Sequence, residues 1–213
     1  FFGSNFASEA DPDHLPALCT MTAAEDVWIV PTQSLFTRWV SPEPPEIMIQ
    51  AAEMQYMPAR VRHSWVRGKS QIINNPEYSA DDYEVFLKLR QRILKCLFDA
   101  GAGFLLGSDA PQVFNVPGFS IQHEMRAVVD AGIPVVEVLR SGTINPARFF
   151  GVTGEYGEVS VGAAADLILL DANPLEDIAH MRQIAGVMVR GTWLSRALID
   201  AQLAQIAARH ESE

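Results

Sequence analysis

Long apolar runs are missing from this sequence, and none approaches the roughly 20 residues that a helix needs to cross a bilayer. The first five residues, Phe1-Phe-Gly-Ser-Asn, have no basic region ahead of their short apolar pair, and position 1 is not Met. We therefore expect no membrane span and no signal peptide in the chain as given. These observations leave its cellular location open.

Basic residues are also scarce. Lys and Arg number 16 against 26 Asp and Glu, which gives a formal net charge of −10, and the basic residues form no cluster. Because nucleic-acid binding depends on clustered Lys and Arg, this balance argues against a nucleic-acid surface. A neutral or cationic small molecule is a more natural partner.

Cysteine is limited to Cys19 and Cys96. The two residues are far apart in the sequence and do not have the spacing of a metal-binding pair. We therefore interpret them as ordinary buried thiols, which leaves the redox compartment open.

One stretch that is present has a clear chemical character: Gly101-Ala-Gly-Phe-Leu-Leu-Gly-Ser-Asp109. Its short apolar run, 103–106, predicts a buried strand, and Gly107 lets the backbone turn just before the carboxylate. Chemistry in parallel α/β folds gathers at the C-terminal ends of strands, so Asp109 is a candidate catalytic residue. The structural alternative is that Asp109 caps the helix that follows.

A second apolar run, 27–30, ends in the same manner at Pro31, which must lie at the limit of strand pairing. A helix separates the two runs, because Ser79 begins a capping-box pattern and 80–99 has a broad apolar face. We expect 27–30 and 103–106 to be adjacent parallel strands whose polar ends face the same way.

The remaining patterns predict further helices and a set of short strands. Helices are expected from near Asp13, over 120–130, from Pro134, and from Thr143 to Gly151. Beyond residue 151 we expect an alternating strand at 157–162, a buried run at 165–171, a hairpin at 187–194 that turns at Arg190-Gly191, and an amphipathic helix from 195 to about 209.

Residues 36–78 are the least regular part, with a Pro-rich start at 41–45 followed by Met and aromatic residues. We interpret this segment as a long excursion with short helices. A lid or binding loop and an insertion without a role both remain open. Its Met and aromatic side chains either line an adaptable apolar pocket or pack the insertion onto the rest of the domain.

The order of these features resembles a known family. The strand into Asp109 is followed by a helix, by Thr143-x-Asn-Pro-Ala147, and by Gly157-Glu-Val-Ser-Val-Gly-Ala-Ala-Ala-Asp-Leu-Ile-Leu-Leu-Asp-Ala-Asn-Pro-Leu-Glu-Asp-Ile178. This order is similar to the C-terminal part of a metal-dependent hydrolase of the amidohydrolase superfamily, in its imidazolonepropionase-like and dipeptidase-like branch. The segment 162–178 is the most specific part, and the resemblance extends from about residue 13 to 195.

The resemblance implies an α/β fold: the last two β/α units of a TIM (β/α)8 barrel, followed by a small β-subdomain of a composite β-sandwich. Residues 1–151 would form the C-terminal part of the barrel, with 36–78 inserted, 152–194 the β-subdomain, and 195–213 a C-terminal helix. Because a complete barrel takes about 250 residues, we expect the chain to be a fragment, completed by a missing N-terminal half or a companion chain.

The resemblance also implies a metal site. In the family, a His-x-His pair and further ligands come from strands that have no counterpart here, and Asp109 is the one ligand that maps onto this sequence. None of the five histidines lies at a predicted strand end, and the one best placed to approach the site is His123; the others are His14, His63, His180 and His210.

On this resemblance, Asp109 would bind one or two divalent metal ions, expected to be zinc, and would act as the catalytic general base. Most of the other metal ligands would be absent from this chain. Gln33, Gln112 and Asn115 lie in the loops after the two strands and are candidate substrate-binding residues.

The implied activity is hydrolysis of a C–N bond in a small amide, cyclic amide or dipeptide, with this chain inactive alone. The alternative is a non-catalytic chain. Such a chain would be either a barrel-completing subunit or a truncated product that acts only by association with the missing half.

Overall fold

Two short parallel strands lie at the centre of the larger part of the fold. β1 (Trp28–Ile29) pairs with β2 (Gly103–Phe104), with Trp28 opposite Gly103 and Ile29 opposite Phe104. Glycine is required at position 103, because a Cβ there would lie 2.5 Å from the indole ring of Trp28. The prediction of adjacent parallel strands is confirmed, although each strand has two residues rather than four.

The structure is a computed structural model that describes residues 3–211. Its first two residues and residues 212–213 of the expected C-terminal helix lie outside that range. The α-helices are α1 (Leu15–Ala24), α2 (Gln33–Trp39), α3 (Pro45–Met48), α4 (Ala59–Ile73), α5 (Ala80–Asp99), α6 (Ser120–Asp130), α7 (Val135–Ser141), α8 (Ile144–Phe149) and α9 (Arg196–Glu211).

The predicted helices at 80–99 and 120–130 are confirmed at both ends. The Ser79 side chain accepts a hydrogen bond from the Asp82 N–H at 3.2 Å, which is the N-terminal cap that the sequence predicts. In the 36–78 segment, the expectation of short helices holds for α3 but not for α4, which has 15 residues.

Two of the hydrophobic cores of this part lie on different sides of the loop after β2. The first packs β2 against α5, α6 and α7 through Leu94, Phe104, Met125, Val128 and Val138. The second lies between the 36–78 segment and the loop after β2, and contains Met48, Met54, Trp65, Val113, Phe114 and Val116. This second core favours the packing interpretation of the Met and aromatic residues over a pocket-lining one.

A separate antiparallel sheet follows in the chain. Its strands are β3 (Leu167–Leu170), β4 (Ile184–Val189) and β5 (Thr192–Ser195), in the order β3-β4-β5. The β4–β5 hairpin turns at Arg190-Gly191, as predicted. The α9 helix packs on this sheet and also on the short 3-10 helix Ala52–Tyr56 of the inserted segment.

The prediction of a strand at 157–162 is wrong, because this segment forms turns and irregular backbone. Gly157 and Gly162 have φ values of 81° and 96°, in the left-handed region that an extended strand does not contain. The alternation of apolar residues there therefore does not reflect a pleated strand.

The expectation that 165–171 is a buried run is also wrong. β3 forms within it, but Leu167, Ile168 and Leu169 are 37%, 53% and 56% exposed. β3 is an edge strand with β4 as its one neighbour in the described sheet, so its apolar side chains lack the covering that the sequence leads one to expect.

The interpretation of the cysteines as thiols is wrong as well. Cys19 of α1 and Cys96 of α5 form a disulfide, with their Cα atoms 6.0 Å apart. They lie 77 residues apart in the chain and are brought together because α1 packs against α5. Local spacing carries no information about a pairing made by tertiary packing.

Within residues 3–211, no helix combines the length and apolar composition needed to cross a membrane.

Candidate active site at the ends of the parallel strands

The backbone segments that follow β1 and β2 run side by side. Beyond the paired residues, the Leu105 N–H donates to the Ile29 carbonyl at 2.9 Å, so the two backbones continue together. A Cβ at Gly107 would lie 2.5 Å from Cγ1 of Val30. The polar residues that follow each strand, from Thr32 and from Ser108, therefore start from neighbouring points at the same edge.

Asp109 is exposed at this edge, and its backbone is left-handed with φ 55°. The residue before it is firmly held: the buried Ser108 shares a hydrogen bond with Ser120, their Oγ atoms 2.8 Å apart. The described part of the chain gives the Asp109 carboxylate no hydrogen-bond or ion-pair partner. Nor does it cap α6, which begins after Phe119 without any side-chain cap.

Asn115 supports the Asp109 backbone from inside the protein. It is fully buried, and its Nδ2 donates to the Ser108 carbonyl at 2.8 Å. Its own N–H donates to the Gln112 carbonyl at 2.8 Å across a tight turn in which Phe114 has φ 59°. The Asn115 Oδ1 is buried with no partner among the described residues, and Gln112 is half-buried.

Gln33 supports the end of β1 in a similar way. Its Oε1 accepts a hydrogen bond from Nε of Arg90 at 2.7 Å, and the same guanidinium donates to the Pro31 carbonyl at 2.8 Å. Arg90 lies over the Phe36 ring, 3.8 Å from its centroid. Burial lowers the pKa of Arg90 to about 10. The hydrogen bonds made by Gln33 and Asn115 thus support the backbone at the ends of the two strands.

A buried carboxylate that sequence reasoning missed holds the start of α2. Glu124 of α6 accepts hydrogen bonds from the N–H groups of Gln33 and Ser34, at 2.9 and 2.6 Å. Desolvation raises the pKa of Glu124, and the two N–H groups oppose that rise. The signal available in the sequence is that Glu124 falls on the same helical face as the buried Ser120 and Val128.

A buried ammonium, also missed, holds the other end of α2. Lys69 of α4 is fully buried, and its Nζ donates to the carbonyls of Arg38 and Trp39, at 2.7 and 3.0 Å, and to both oxygens of Ser41. Burial lowers the pKa of Lys69 to about 7. Helical patterning alone gives no reason to place a lysine in the interior.

An ionic cluster ties the inserted segment to the loop after Asp109. Arg38 donates to the Phe114 carbonyl at 2.9 Å and lies 3.3 Å from Glu53, whose carboxylate is 2.9 Å from Nε2 of His123. The hydrogen bond with His123 lowers the pKa of Glu53 to about 2, against the opposing effect of burial. Arg182 lies 3.2 Å from the other ring nitrogen of His123. Both nitrogens of His123 are therefore engaged within this cluster, which does not leave the ring open as a metal ligand.

A metal ion needs more ligands than these residues provide. Within residues 3–211, no group of three or more His, Cys, Asp or Glu side chains is arranged to bind one. Asp109 offers a single carboxylate, whereas protein metal sites use three or more ligands. The described residues therefore do not form a complete metal centre.

Residues 52–194 match the family model of the amidohydrolase family, whose members are generally metal-dependent. An imidazolonepropionase from Rubrobacter xylanophilus is 35% identical over 101 residues, which is 45% of this chain and 23% of that protein. An N-acetylglucosamine-6-phosphate deacetylase from Caenorhabditis elegans is 39% identical over 64 residues, 30% of this chain and 14% of that protein.

Solved structures share the fold over most of the chain. Bottromycin amidohydrolase superposes with a TM-score of 0.72 at 18% identity, covering 96% of this chain and 46% of that one. A Xaa-Pro dipeptidase superposes with a TM-score of 0.54 at 20% identity, covering 83% of this chain and 36% of that one. The chain thus spans less than half the length of each of these proteins.

Proposed function

Since the chain belongs to the amidohydrolase family, we propose that it forms the C-terminal part of a hydrolase that cleaves a C–N bond in a small amide, cyclic amide or dipeptide. One observation carries this proposal. The exposed carboxylate of Asp109, which has no partner within residues 3–211, lies at the end of a parallel strand, beside the end of the neighbouring strand. Catalytic residues occupy that position in barrels and related α/β folds.

The proposed architecture follows from the mixed α/β fold. β1 and β2 with the helix between them would form the last two β/α units of a (β/α)8 barrel, within residues 1–151 and with 36–78 inserted. Residues 152–194 would form one part of a β-sandwich, and 195–213 the C-terminal helix. The parallel pairing of β1 and β2 supports the barrel, and the exposed apolar side chains of β3 support a sandwich completed by further strands.

In this proposal Asp109 has two roles. It is one carboxylate ligand of a divalent metal site, expected to hold one or two zinc ions, whose other ligands lie outside the described residues. It is also the general base, which takes a proton from the attacking water and returns it to the leaving amine. A divalent ion in such a site supplies Lewis-acid chemistry. An exposed, ionised carboxylate is suited to both roles.

The proposed contacts to substrate come from the loop after Asp109. Gln112 is half-buried and its side-chain amide has no hydrogen-bond partner among the described residues, so it is the better candidate for direct contact. Gln33 and Asn115 remain candidates through their place at the strand ends. Their burial and their hydrogen bonds to Arg90 and Ser108 suit them more to holding the backbone.

A second candidate function is a non-catalytic chain that completes a barrel by association. The observation in its favour is that Asp109 is a lone carboxylate without two further ligands in the described chain. In both candidates the rest of the site comes from a missing N-terminal half or a companion chain.

The experiment that separates them uses the natural full-length polypeptide containing this chain, purified with zinc. Amine release is measured from a panel of dipeptides, N-acyl amino acids and cyclic amides, before and after chelator treatment. The hydrolase proposal expects chelator-sensitive turnover of at least one probe, while the 213-residue chain alone binds no stoichiometric zinc in calorimetry. A metal-loaded full-length protein that hydrolyses none of the probes would favour the non-catalytic candidate.

A further inference from the structure

Thr32, the residue that links β1 to α2, has an unfavourable backbone conformation. Its φ and ψ are 48° and 39°, in the left-handed region. A β-branched residue is a rare occupant of that region, because its side chain crowds the backbone there. Residues held in such conformations cluster at functional sites, where the surroundings compensate their cost.

The Thr32 hydroxyl does not make the capping hydrogen bond that is usual for a threonine at the start of a helix. Thr32 is the N-cap residue of α2, and a threonine there usually accepts an N–H of the first helical turn. Here the N–H groups of Gln33 and Ser34 are taken by the Glu124 carboxylate, and Thr32 forms no capping hydrogen bond. The N–H groups of the first two helical residues therefore already have an acceptor, and the Thr32 hydroxyl has no partner among the described residues.

Buried charged groups keep Thr32 in this conformation. Arg90 holds the carbonyl of Pro31 on one side, and Glu124 holds the two residues on the other. Glu124 is fully buried and comes from a helix 90 residues further along the chain. A threonine hydroxyl caps a helix from extended backbone, which Thr32 does not have, so the Glu124 carboxylate supplies the cap in its place.

Thr32 lies at the same edge as Asp109. Val30 and Gly107 are in contact distance across the two strand ends, and Thr32 and Asp109 each follow two residues later. Both residues are left-handed, with φ 48° and 55°. The two segments therefore turn at matching points, one at a threonine and the other at an aspartate.

From these relationships we infer that Thr32 contacts the substrate, its hydroxyl hydrogen-bonding an amide-containing molecule held beside Asp109. This inference rests on the proposed hydrolase function. It gives the end of β1 a direct contact with substrate through Thr32, whereas the neighbouring Gln33 supports the backbone.

The test compares three substitutions in the full-length protein with zinc, using the amide probe that the wild type turns over best. Thr32→Val keeps the shape and removes the hydroxyl, so kcat/KM should fall about 10-fold or more, as for the loss of a bond to a polar group in the transition state. Thr32→Ser keeps the hydroxyl and should retain activity within about threefold.

Thr32→Gly adds a readout besides activity. Glycine adopts the left-handed region without steric cost, so the melting temperature should stay level or rise while kcat/KM falls as for Thr32→Val. Thr20→Val on α1 removes a distant threonine hydroxyl and serves as the control, with unchanged kcat/KM.

Two results would overturn the inference while leaving the hydrolase proposal intact. One is a Thr32→Val protein within about threefold of wild-type kcat/KM. The other is a Thr32→Ser protein whose kcat/KM falls as far as that of Thr32→Val, since serine keeps the hydroxyl. A wild-type protein that hydrolyses no amide probe would remove the proposed function, and this inference with it.

Discussion

Glu124 and Lys69 bind opposite ends of the same short helix. The Glu124 carboxylate accepts the first N–H groups of α2, and the Lys69 ammonium donates to the carbonyls at its end. The helix macrodipole favours a negative charge at the first position and a positive charge at the second. Because α2 begins directly after the end of β1, these two buried charges fix the backbone next to Asp109.

The first prediction concerns Glu124. Glu124→Gln replaces one of the two accepting oxygens by an N–H₂ group, which cannot accept the N–H of Gln33 or Ser34. Leaving one buried N–H unsatisfied should lower the free energy of unfolding by about 1–3 kcal/mol. Urea unfolding of the full-length protein measures this loss.

Glu84→Gln, at an exposed position of α5, is the matched control and should change stability by less than about 0.5 kcal/mol. Lys69→Met should cost at least as much as Glu124→Gln, because it deprives the buried carbonyls of Arg38, Trp39 and Ser41 of their donor. Equal stability of the Glu124→Gln protein and the wild type would contradict the capping role.

The second prediction is a pH dependence carried by Glu53. Its folded pKa, about 2, lies below the ordinary 4.5 because of the hydrogen bond with His123. A depressed carboxyl pKa stabilises the fold fully above the unfolded value, and this contribution is lost as pH falls from about 4.5 to about 2. Because Glu53 is partly exposed to solvent, screening reduces the corresponding stabilisation to about 1–3 kcal/mol at neutral pH.

Urea unfolding of wild type and Glu53→Gln at a series of pH values measures this contribution. The variant should be less stable near neutral pH, and the difference should shrink steadily as the pH falls towards about 2. A stability difference that stays constant over this range would show that the ionisation of Glu53 is not what stabilises the cluster.

The third prediction concerns the disulfide. It closes a long loop, with its cysteines 77 residues apart, so removing it should lower the free energy of unfolding by about 2–4 kcal/mol. Thermal unfolding with and without dithiothreitol checks this. A variant with both Cys19→Ala and Cys96→Ala should melt near the reduced wild type and should not respond to dithiothreitol. A wild type that melts at the same temperature in both conditions would mean that the bond does not contribute.

The features that the sequence could predict are those encoded locally. α5 and α6 were predicted to their end residues, because the Ser79 cap and the Gly132 stop signal are read within one turn of the helix. The β4–β5 hairpin depends on a local turn at Arg190-Gly191. The position of Asp109 at an exposed strand end follows from a local pattern as well.

The features that the sequence could not predict depend on distant partners. Glu124 is buried because it meets N–H groups 90 and 91 residues away, and Lys69 because it meets carbonyls about 30 residues away. The disulfide depends on how α1 packs against α5. The prediction of a strand at 157–162 was wrong because alternation of apolar residues does not reveal that the glycines at its two ends are left-handed.

The last prediction tests Asp109 itself. Asp109→Asn removes the charge and the basicity while keeping the size, and asparagine tolerates the left-handed backbone of this position. If Asp109 accepts the proton of the attacking water, kcat/KM of the full-length enzyme should fall by about 10²-fold to 10⁴-fold, roughly 3 to 5 kcal/mol at the barrier. The melting temperature should change little, because the carboxylate has no partner to lose among the described residues.

Asp130→Asn at the exposed end of α6 is the matched control, and should leave both quantities unchanged. If Asp109 only capped a helix, Asp109→Asn would leave kcat/KM nearly unchanged, since asparagine caps a helix about as well as aspartate. α6 has no side-chain cap, so a structural role through capping does not apply here. Activity of the Asp109→Asn protein within about threefold of wild type, under roughly 1 kcal/mol, would remove Asp109 from the mechanism.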